Sequence, residues 1–390
     1  MKQVEEILTR GVANIIPNKN MLAGKLMSGK KLNIYLGIDP TSTKIHLGHA
    51  VVLRKLNQFA LLGQNVTFLI GDFTALIGDT SDKDSERPAL TIEEIEENFK
   101  TYKKQAEKIL DFNKVKVRYN SEWLKKLNFV DILKLTQHFS VGDFVGRELI
   151  KKRLTDGKRV GLHEFLYPVM QGYDSYFMDT DLQIGGTDQT FNMQAGRALI
   201  RDLKEKESFV LTTVILEGTD TRKMSKSWGN AIWLDDKPFD IYRKVMAIND
   251  DLILNYLMLA TNFSLEEVGR FEKRLKSKEN PRDIKKELAF EIVKELVDEK
   301  SAKKAKEEFE KTVQNKEVPQ NLHTITVRRD MTASEVLVNA NFSQSKSEAK
   351  RLIEQGGVTV NDKKITDQNQ VLEEGILKVG KKRFVKLVVK

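Results

Sequence analysis

An apolar run at residues 32–38, a turn at Asp39-Pro40-Thr41, helically spaced apolar residues over 46–62 and a second apolar run at 66–71 follow one another directly. Strand, helix and strand this close together predict a right-handed crossover of a parallel sheet, and such a sheet binds its ligands beyond the carboxyl ends of its strands. The turn between Asp39 and His49 is therefore the first place to look for chemistry. The alternation continues downstream. Thr91-Ile92-Glu93-Glu94 has the form of a capping box, and 115–119 and 211–216 read as strands. Residues 1–232 are thus predicted to form one Rossmann-like α/β domain with a parallel sheet. After Pro238 the pattern turns helical and highly charged, most clearly over 281–311, which predicts an all-helical domain at 233–322. From Thr324 the pattern changes again. A helix at 346–354, the pair Gly356-Gly357 and short alternating stretches at 358–360 and 383–389 predict a small α+β domain at 324–390. Three domains suit 390 residues, which exceed what one hydrophobic core usually organises.

Composition narrows the function classes. With 31% charged residues and no apolar run long enough to cross a bilayer, a membrane protein is not expected. Glu5 and Glu6 near the start do not suit a signal or transit peptide, which predicts a cytoplasmic address. Zero cysteines and five histidines argue against disulfides, a structural zinc site or any tightly bound cofactor, so a metal would arrive with a substrate. The net charge of +9 fits a polyanionic partner and equally fits a lysine-rich proteome.

Two of the histidines fall in His46-Leu47-Gly48-His49, at the predicted ligand end of the sheet. A helix start offers free N–H groups to a phosphate, two imidazoles can donate to phosphate or ribose oxygens, and Gly48 lets a nucleotide lie against the backbone. Taken alone, the quartet does not separate this reading from a pair of ordinary helix-start histidines. Its counterpart is Lys223-Met224-Ser225-Lys226-Ser227, followed by Gly229 and preceded by Glu217-Gly218-Thr219-Asp220. Two lysines flanking Ser225 in a glycine-bordered loop can close over a triphosphate and stabilise charge on departing pyrophosphate.

This pair resembles the HIGH and KMSKS signatures of the class I aminoacyl-tRNA synthetases, departing only by Leu47 for isoleucine. Within that class, Tyr35-Leu36-Gly37-Ile38-Asp39-Pro40-Thr41, the stretch from Gly71 to Asp79, the residues Tyr167, Gln171 and Asp174, and Gly185-Gly186-Thr187-Asp188-Gln189 are similar to the tyrosyl enzymes. The resemblance implies that Tyr35 and Asp174 bond the substrate hydroxyl. Asp79, Tyr167 and Gln171 would hold the ammonium, Gln189 would lie near the carboxylate, and Thr74 would complete the tyrosine set. It assigns His46 to the triphosphate, Gly48 and His49 to adenosine, and Asp188 with Gly186 to the ribose side. Asp39 and Thr41 would stand at the phosphates, and Met224 and Lys226 on the closing loop. Lys83 and Arg87 would join Lys223 and Lys226 around pyrophosphate, with a plain solvated role as their alternative. Such a pocket makes chemical sense, because a buried phenol, an ammonium and a carboxylate each need a partner. Phenylalanine would leave Tyr35 and Asp174 unpaired, a rejection without editing for which the tyrosyl enzymes are the known example. The implied substrates are L-tyrosine, ATP accompanied by Mg2+, and a tyrosine tRNA. Thr190-Phe191 stands where one large bacterial subgroup has tryptophan and glycine, and Leu36 replaces a smaller polar residue, so the chain is similar to the other bacterial subgroup.

The stretch from Ser345 to Ile353, with Gln355-Gly356-Gly357 and the strand after it, resembles a small RNA-binding domain shared by a ribosomal protein and many pseudouridine synthases. Lys346, Lys350 and Arg351 would contact phosphates, Lys346 and Lys350 sharing one helix face. The resemblance further implies an anticodon-stem role for the helical domain and a symmetric homodimer formed through 129–166. Three rival readings stand beside this one. A tryptophanyl enzyme shares the fold, but an indole offers only an N–H donor and does not call for the Tyr35 and Asp174 pair. A non-catalytic RNA-binding protein on the same scaffold would be expected to have lost one signature. A small-molecule nucleotidyltransferase leaves everything after Pro238 without a task.

Overall fold

The computed structural model describes residues 1–40, 43–78, 91–226, 228–314, 322–380 and 383–389. The chain divides into two compact units, Met1–Ser301 and Ala302–Lys390.

The first unit is built on strands β1 (Val12–Ile16), β2 (Asn33–Ile38), β3 (Asn65–Ile70), β4 (Val115–Tyr119), β5 (Leu182–Gly186) and β6 (Phe209–Thr213), in the order β1-β6-β5-β2-β3-β4. All neighbours run parallel except β1, which closes one edge antiparallel to β6. The expected crossover is the β2, Leu47–Leu61 helix, β3 segment, and Ile34, Tyr35 and Leu36 of β2 are all buried, as a strand covered on both faces requires. Because β2 pairs with β3 on one side and β5 on the other, the chain winds away in both directions from this point. The crevice between the ends of β2 and β5 is the resulting binding position. Thr91 caps the helix Ile92–Ala106 as its sequence predicts: its Oγ accepts from Glu94 N at 3.2 Å while Glu94 Oε2 accepts from Thr91 N at 2.8 Å. Strands β1 and β5 were not legible in the sequence.

The helices Pro238–Met246, Ile253–Ala260, Leu265–Lys276 and Pro281–Leu296 also lie within the first unit. Buried cations fasten them to the N-terminal part. Arg10 donates to the carbonyls of Met258 at 2.9 Å and Thr261 at 2.7 Å, and also bonds Phe263 O, capping the end of the Ile253–Ala260 helix. From the Leu47–Leu61 helix, Arg54 pairs with Glu295 at 2.6 Å, and Lys55 donates to Ile7 O and Arg10 O at 2.6 and 2.8 Å.

The second unit holds a sheet of β7 (Thr324–Val327), β8 (Val358–Val360), β9 (Lys363–Lys364), β10 (Gly375–Val379) and β11 (Arg383–Val389), ordered β7-β11-β10-β8-β9. The helices Ala333–Asn339 and Lys346–Glu354 cover it. Val336, Leu337, Ala349, Ile353, Leu377 and Leu387 form its core.

Candidate active site

At the crevice between β2 and β5 lies a cleft of about 490 Å³. Tyr35, Asp39, His46, Gly48, His49, Thr74, Tyr167, Gln171, Asp174, Gly186, Asp188, Gln189, Lys223, Met224 and Lys226 all line it, so the structure brings these sequence-predicted residues to one place. Thr41, Asp79, Lys83 and Arg87 lie outside the described residues.

Two buried polar side chains, Tyr35 and Asp174, mark one part of the cleft. Tyr35 is 3% exposed, and its hydroxyl lies 2.8 Å from Ser175 Oγ and donates to Gln183 Oε1 at 3.2 Å. Burial, and then the charge of Asp174, raise its pKa above the ordinary phenol value. Asp174, also 3% exposed, accepts from Trp123 Nε1 at 2.7 Å and Asn120 Nδ2 at 3.2 Å. Burial pushes its pKa up to about 8 against the pull of those two donors. Asn120 also donates to Thr74 Oγ1 at 3.0 Å and accepts from Phe73 N at 2.9 Å, joining β4 to the turn after β3. Leu69 lines this end and packs with Tyr35, Trp123 and Leu124 in one apolar cluster.

Midway along the cleft, Asp39 accepts from Thr74 Oγ1 at 2.8 Å and from the Tyr167 hydroxyl at 2.9 Å. Asp39, assigned to the phosphates by resemblance, is thus bonded to two members of the tyrosine set. Residue 71 must be glycine here, since a Cβ would lie 2.0 Å from Asp39 Oδ1 and 2.3 Å from Thr74 Oγ1. Gln189 Oε1 accepts from Asn192 Nδ2 at 3.1 Å on the opposite wall.

The other end carries the two signature motifs. His46 is the N-cap of the Leu47–Leu61 helix, and its ring stacks on His49 with centroids 3.8 Å apart. Burial first, then His49 and Lys223, push its pKa down to about 2, so His46 is a neutral imidazole. Its Nδ1 is buried with no hydrogen-bond partner. Across the cleft, Lys223 Nζ lies 3.1 Å from Asp188 Oδ2 and Met224 is buried. The buried side chain of Asn230 organises the loop. Its Oδ1 accepts from Ser225 N at 2.8 Å, and its Nδ2 donates to Asp220 Oδ1 at 2.6 Å and Lys223 O at 3.2 Å. Those bonds, Asn230 first and Arg222 next, hold the Asp220 carboxyl down to about 2. Among the described residues no group of three or more His, Cys, Asp or Glu is arranged to hold a metal ion.

Sequence reasoning missed Asn120, Trp123, Ser175, Gln183 and Asn230. Each acts through a partner far along the chain or through a buried amide, and no spacing rule announces that. In the second unit, Lys346, Lys350 and Arg351 are exposed, with Lys346 Nζ 2.9 Å from Glu335 Oε1 and Lys350 Nζ 3.8 Å from Glu354 Oε1.

Residues 27–314 match the family of class I tRNA synthetases for tryptophan and tyrosine, and residues 335–375 match the S4 domain. A tyrosine–tRNA ligase of Thermotoga maritima is 42% identical over 387 residues, covering 98% of this chain and 96% of that protein. One from Carboxydothermus hydrogenoformans is 43% identical over 403 residues, covering 100% and 98%. Among solved structures, a C-terminally truncated mitochondrial tyrosyl-tRNA synthetase of Aspergillus nidulans aligns with a TM-score of 0.67 at 23% identity, over 78% of this chain and 92% of that one. The enzyme of Archaeoglobus fulgidus complexed with L-tyrosine gives 0.63, also at 23% identity, over 78% and 99%. These two likenesses bear on the fold.

Proposed function

The chain belongs to the class I tyrosine–tRNA ligases, and on that premise we propose how its cleft divides between the substrates. The enzyme activates tyrosine with ATP, releasing pyrophosphate, and passes the tyrosyl group from the adenylate to the 3′ end of its tRNA. The observation that carries the assignment of ends is that the buried polar pair Tyr35 and Asp174 lines the same cleft as the stacked rings of His46 and His49.

In this reading the phenol of tyrosine enters beside Leu69 and meets Tyr35 and Asp174. Tyr167, Gln171 and Asp79 take the ammonium, with Thr74 and Asp39 alongside, and Gln189 faces the carboxylate. The nucleotide lies across Gly48 and His49 with its ribose toward Gly186 and Asp188. His46, uncharged, donates to the phosphates beside Asp39 and Thr41. The tyrosine carboxylate is already ionised at neutral pH and attacks the α-phosphorus in line, so no general base is needed. The α–β phosphoanhydride bond breaks and its electrons leave with pyrophosphate, whose charge Lys223, Lys226, Lys83 and Arg87 stabilise, with Met224 packed beneath the loop. ATP must draw Lys223 from Asp188, freeing that carboxylate for the ribose. A Mg2+ held chiefly by the phosphates and water suits a cleft whose described residues present no ready cage, and it would share the phosphate charge. A tryptophan substrate fits poorly, because an indole N–H leaves one of two polar groups at the tip without a partner.

The remaining assignments follow from the same reading. Residues 1–232 would carry the chemistry, 233–322 would meet the anticodon stem, and 324–390 would hold RNA through Lys346, Lys350 and Arg351. The active form would be a cytoplasmic homodimer joined through 129–166, where Phe129, Val141 and Leu162 are 74%, 78% and 79% exposed. Amino-acid-dependent exchange of labelled pyrophosphate into ATP tests the core of this proposal without any tRNA. Exchange with tyrosine alone, abolished by Lys226→Ala, is expected; exchange with tryptophan would overturn the pocket assignment.

A further inference from the structure

The Tyr35 hydroxyl is held by two residues that neither signature motif contains. Gln183, on β5, donates its Nε2 to Met193 O at 2.9 Å, which fixes the amide so that Oε1 faces Tyr35 at 3.2 Å; the flipped amide would set oxygen against oxygen. Ser175, on the Leu162–Phe177 helix, approaches the same hydroxyl at 2.8 Å and is 3.4 Å from Gln171 O. Two proton arrangements are possible. If Tyr35 donates to Ser175, Gln183 Oε1 is left without a donor at a residue only 1% exposed, a costly state for a buried acceptor. If Tyr35 donates to Gln183 and Ser175 donates to Tyr35, every group in the network is satisfied, because Gln171 O already serves its own helix.

We infer that Gln183 is a positioning residue that commits the Tyr35 proton inward, leaving Tyr35 able only to accept from the bound amino acid and so making a para-hydroxyl donor the condition of entry. This rests on the tyrosine end proposed above. Asp174 stands at the same tip, its two oxygens already accepting from Trp123 Nε1 and Asn120 Nδ2. Tyrosine brings the proton that the Tyr35 oxygen needs, and phenylalanine brings none. The network leaves no room for rearrangement: a Cβ at Gly196 would lie 2.4 Å from Ser175 Oγ and 2.7 Å from Gln183 Nε2, so the helix Thr190–Lys204 is pressed against it.

The test is pyrophosphate exchange by the full-length enzyme with tyrosine and with phenylalanine, comparing kcat/KM ratios. Gln183→Met, which keeps the length and loses the amide, is expected to lower the tyrosine-to-phenylalanine ratio about tenfold, through KM for tyrosine with kcat within about threefold. Gln183→Glu, protonated in this setting, can reproduce both bonds and is expected to restore the ratio to within about threefold. Should the methionine variant not fold, Ser175→Ala decides the matter. The ratio holds if Gln183 takes the Tyr35 proton, and a tenfold fall would assign that role to Ser175 and overturn the inference. Tyr35→Phe separates the two layers: an unchanged ratio there would overturn the pocket reading itself, while a fall there with no change in Gln183→Met would overturn this inference alone.

Discussion

Replacing Asn230 with alanine removes the clasp of the Lys223-to-Lys226 loop without touching a group placed against either substrate. Asn230 is 3% exposed and makes two bonds to the loop backbone, at 2.8 Å from Ser225 N and 3.2 Å to Lys223 O. Each is worth about 1 kcal/mol net, so the loop conformation is weakened by about 2 kcal/mol. The third partner, Asp220, is at the surface, where water takes over its bond. If the loop must regain this geometry for Lys223 and Lys226 to meet the departing pyrophosphate, that deficit appears in full in the transition state. It corresponds to roughly a thirtyfold loss in kcat/KM for ATP. The KM for tyrosine stays unchanged, because the clasp lies at the nucleotide end of the cleft. Pyrophosphate exchange with each substrate varied in turn provides both numbers. An Asn230→Ala enzyme within threefold of wild type toward ATP, or one whose loss falls on tyrosine, refutes the reasoning.

Asp174→Asn should change how stability depends on pH. The Asp174 carboxyl sits near pKa 8 folded and at the ordinary 3.8 unfolded, so between these values the folded state holds one more proton than the unfolded chain. Stability contributed by the neutral acid is full below about pH 4 and is lost as pH rises toward 8. The asparagine variant should therefore gain relative to wild type by up to about 2.7 kcal/mol between pH 5 and pH 7 in urea titrations, and an advantage that shrinks with pH would contradict the assignment. Replacing Lys346, Lys350 and Arg351 together by alanine should raise the KM for tRNA about tenfold and flatten its salt dependence, leaving pyrophosphate exchange untouched. A loss of exchange would show that the substitutions act on folding.

What the sequence made legible was whatever repeats along the chain or sits within one turn of itself. The β2 crossover, the Thr91 cap and the Lys346–Glu354 helix are local patterns, and the structure contains each of them. Strand β5 escaped because Gln183, Gly185 and Gly186 dilute its apolar signal, and β1 because its partner β6 lies some two hundred residues away, with Ile15 opposite Leu211. The site divides in the same way. His46, His49, Lys223 and Lys226 stand in compact motifs, whereas the groups that tune them act at a distance. Trp123 reaches Asp174 from 51 positions upstream, and Gln183 reaches Tyr35 across 148. Asn230 is close in sequence to its loop, but one asparagine among surface residues carries no periodicity to read.

The grip of Arg10 on the carbonyls after the Ile253–Ala260 helix has a consequence for synthesis. Its acceptor at Thr261 lies 251 positions further on. At roughly 5–20 residues per second, Arg10 is synthesised about 12–50 s before that acceptor exists. Strand β1 waits likewise for β6. Nascent chains halted before residue 260 should lose their first sixteen residues to protease, and chains released at full length should keep them. A segment made early thus waits for partners made late.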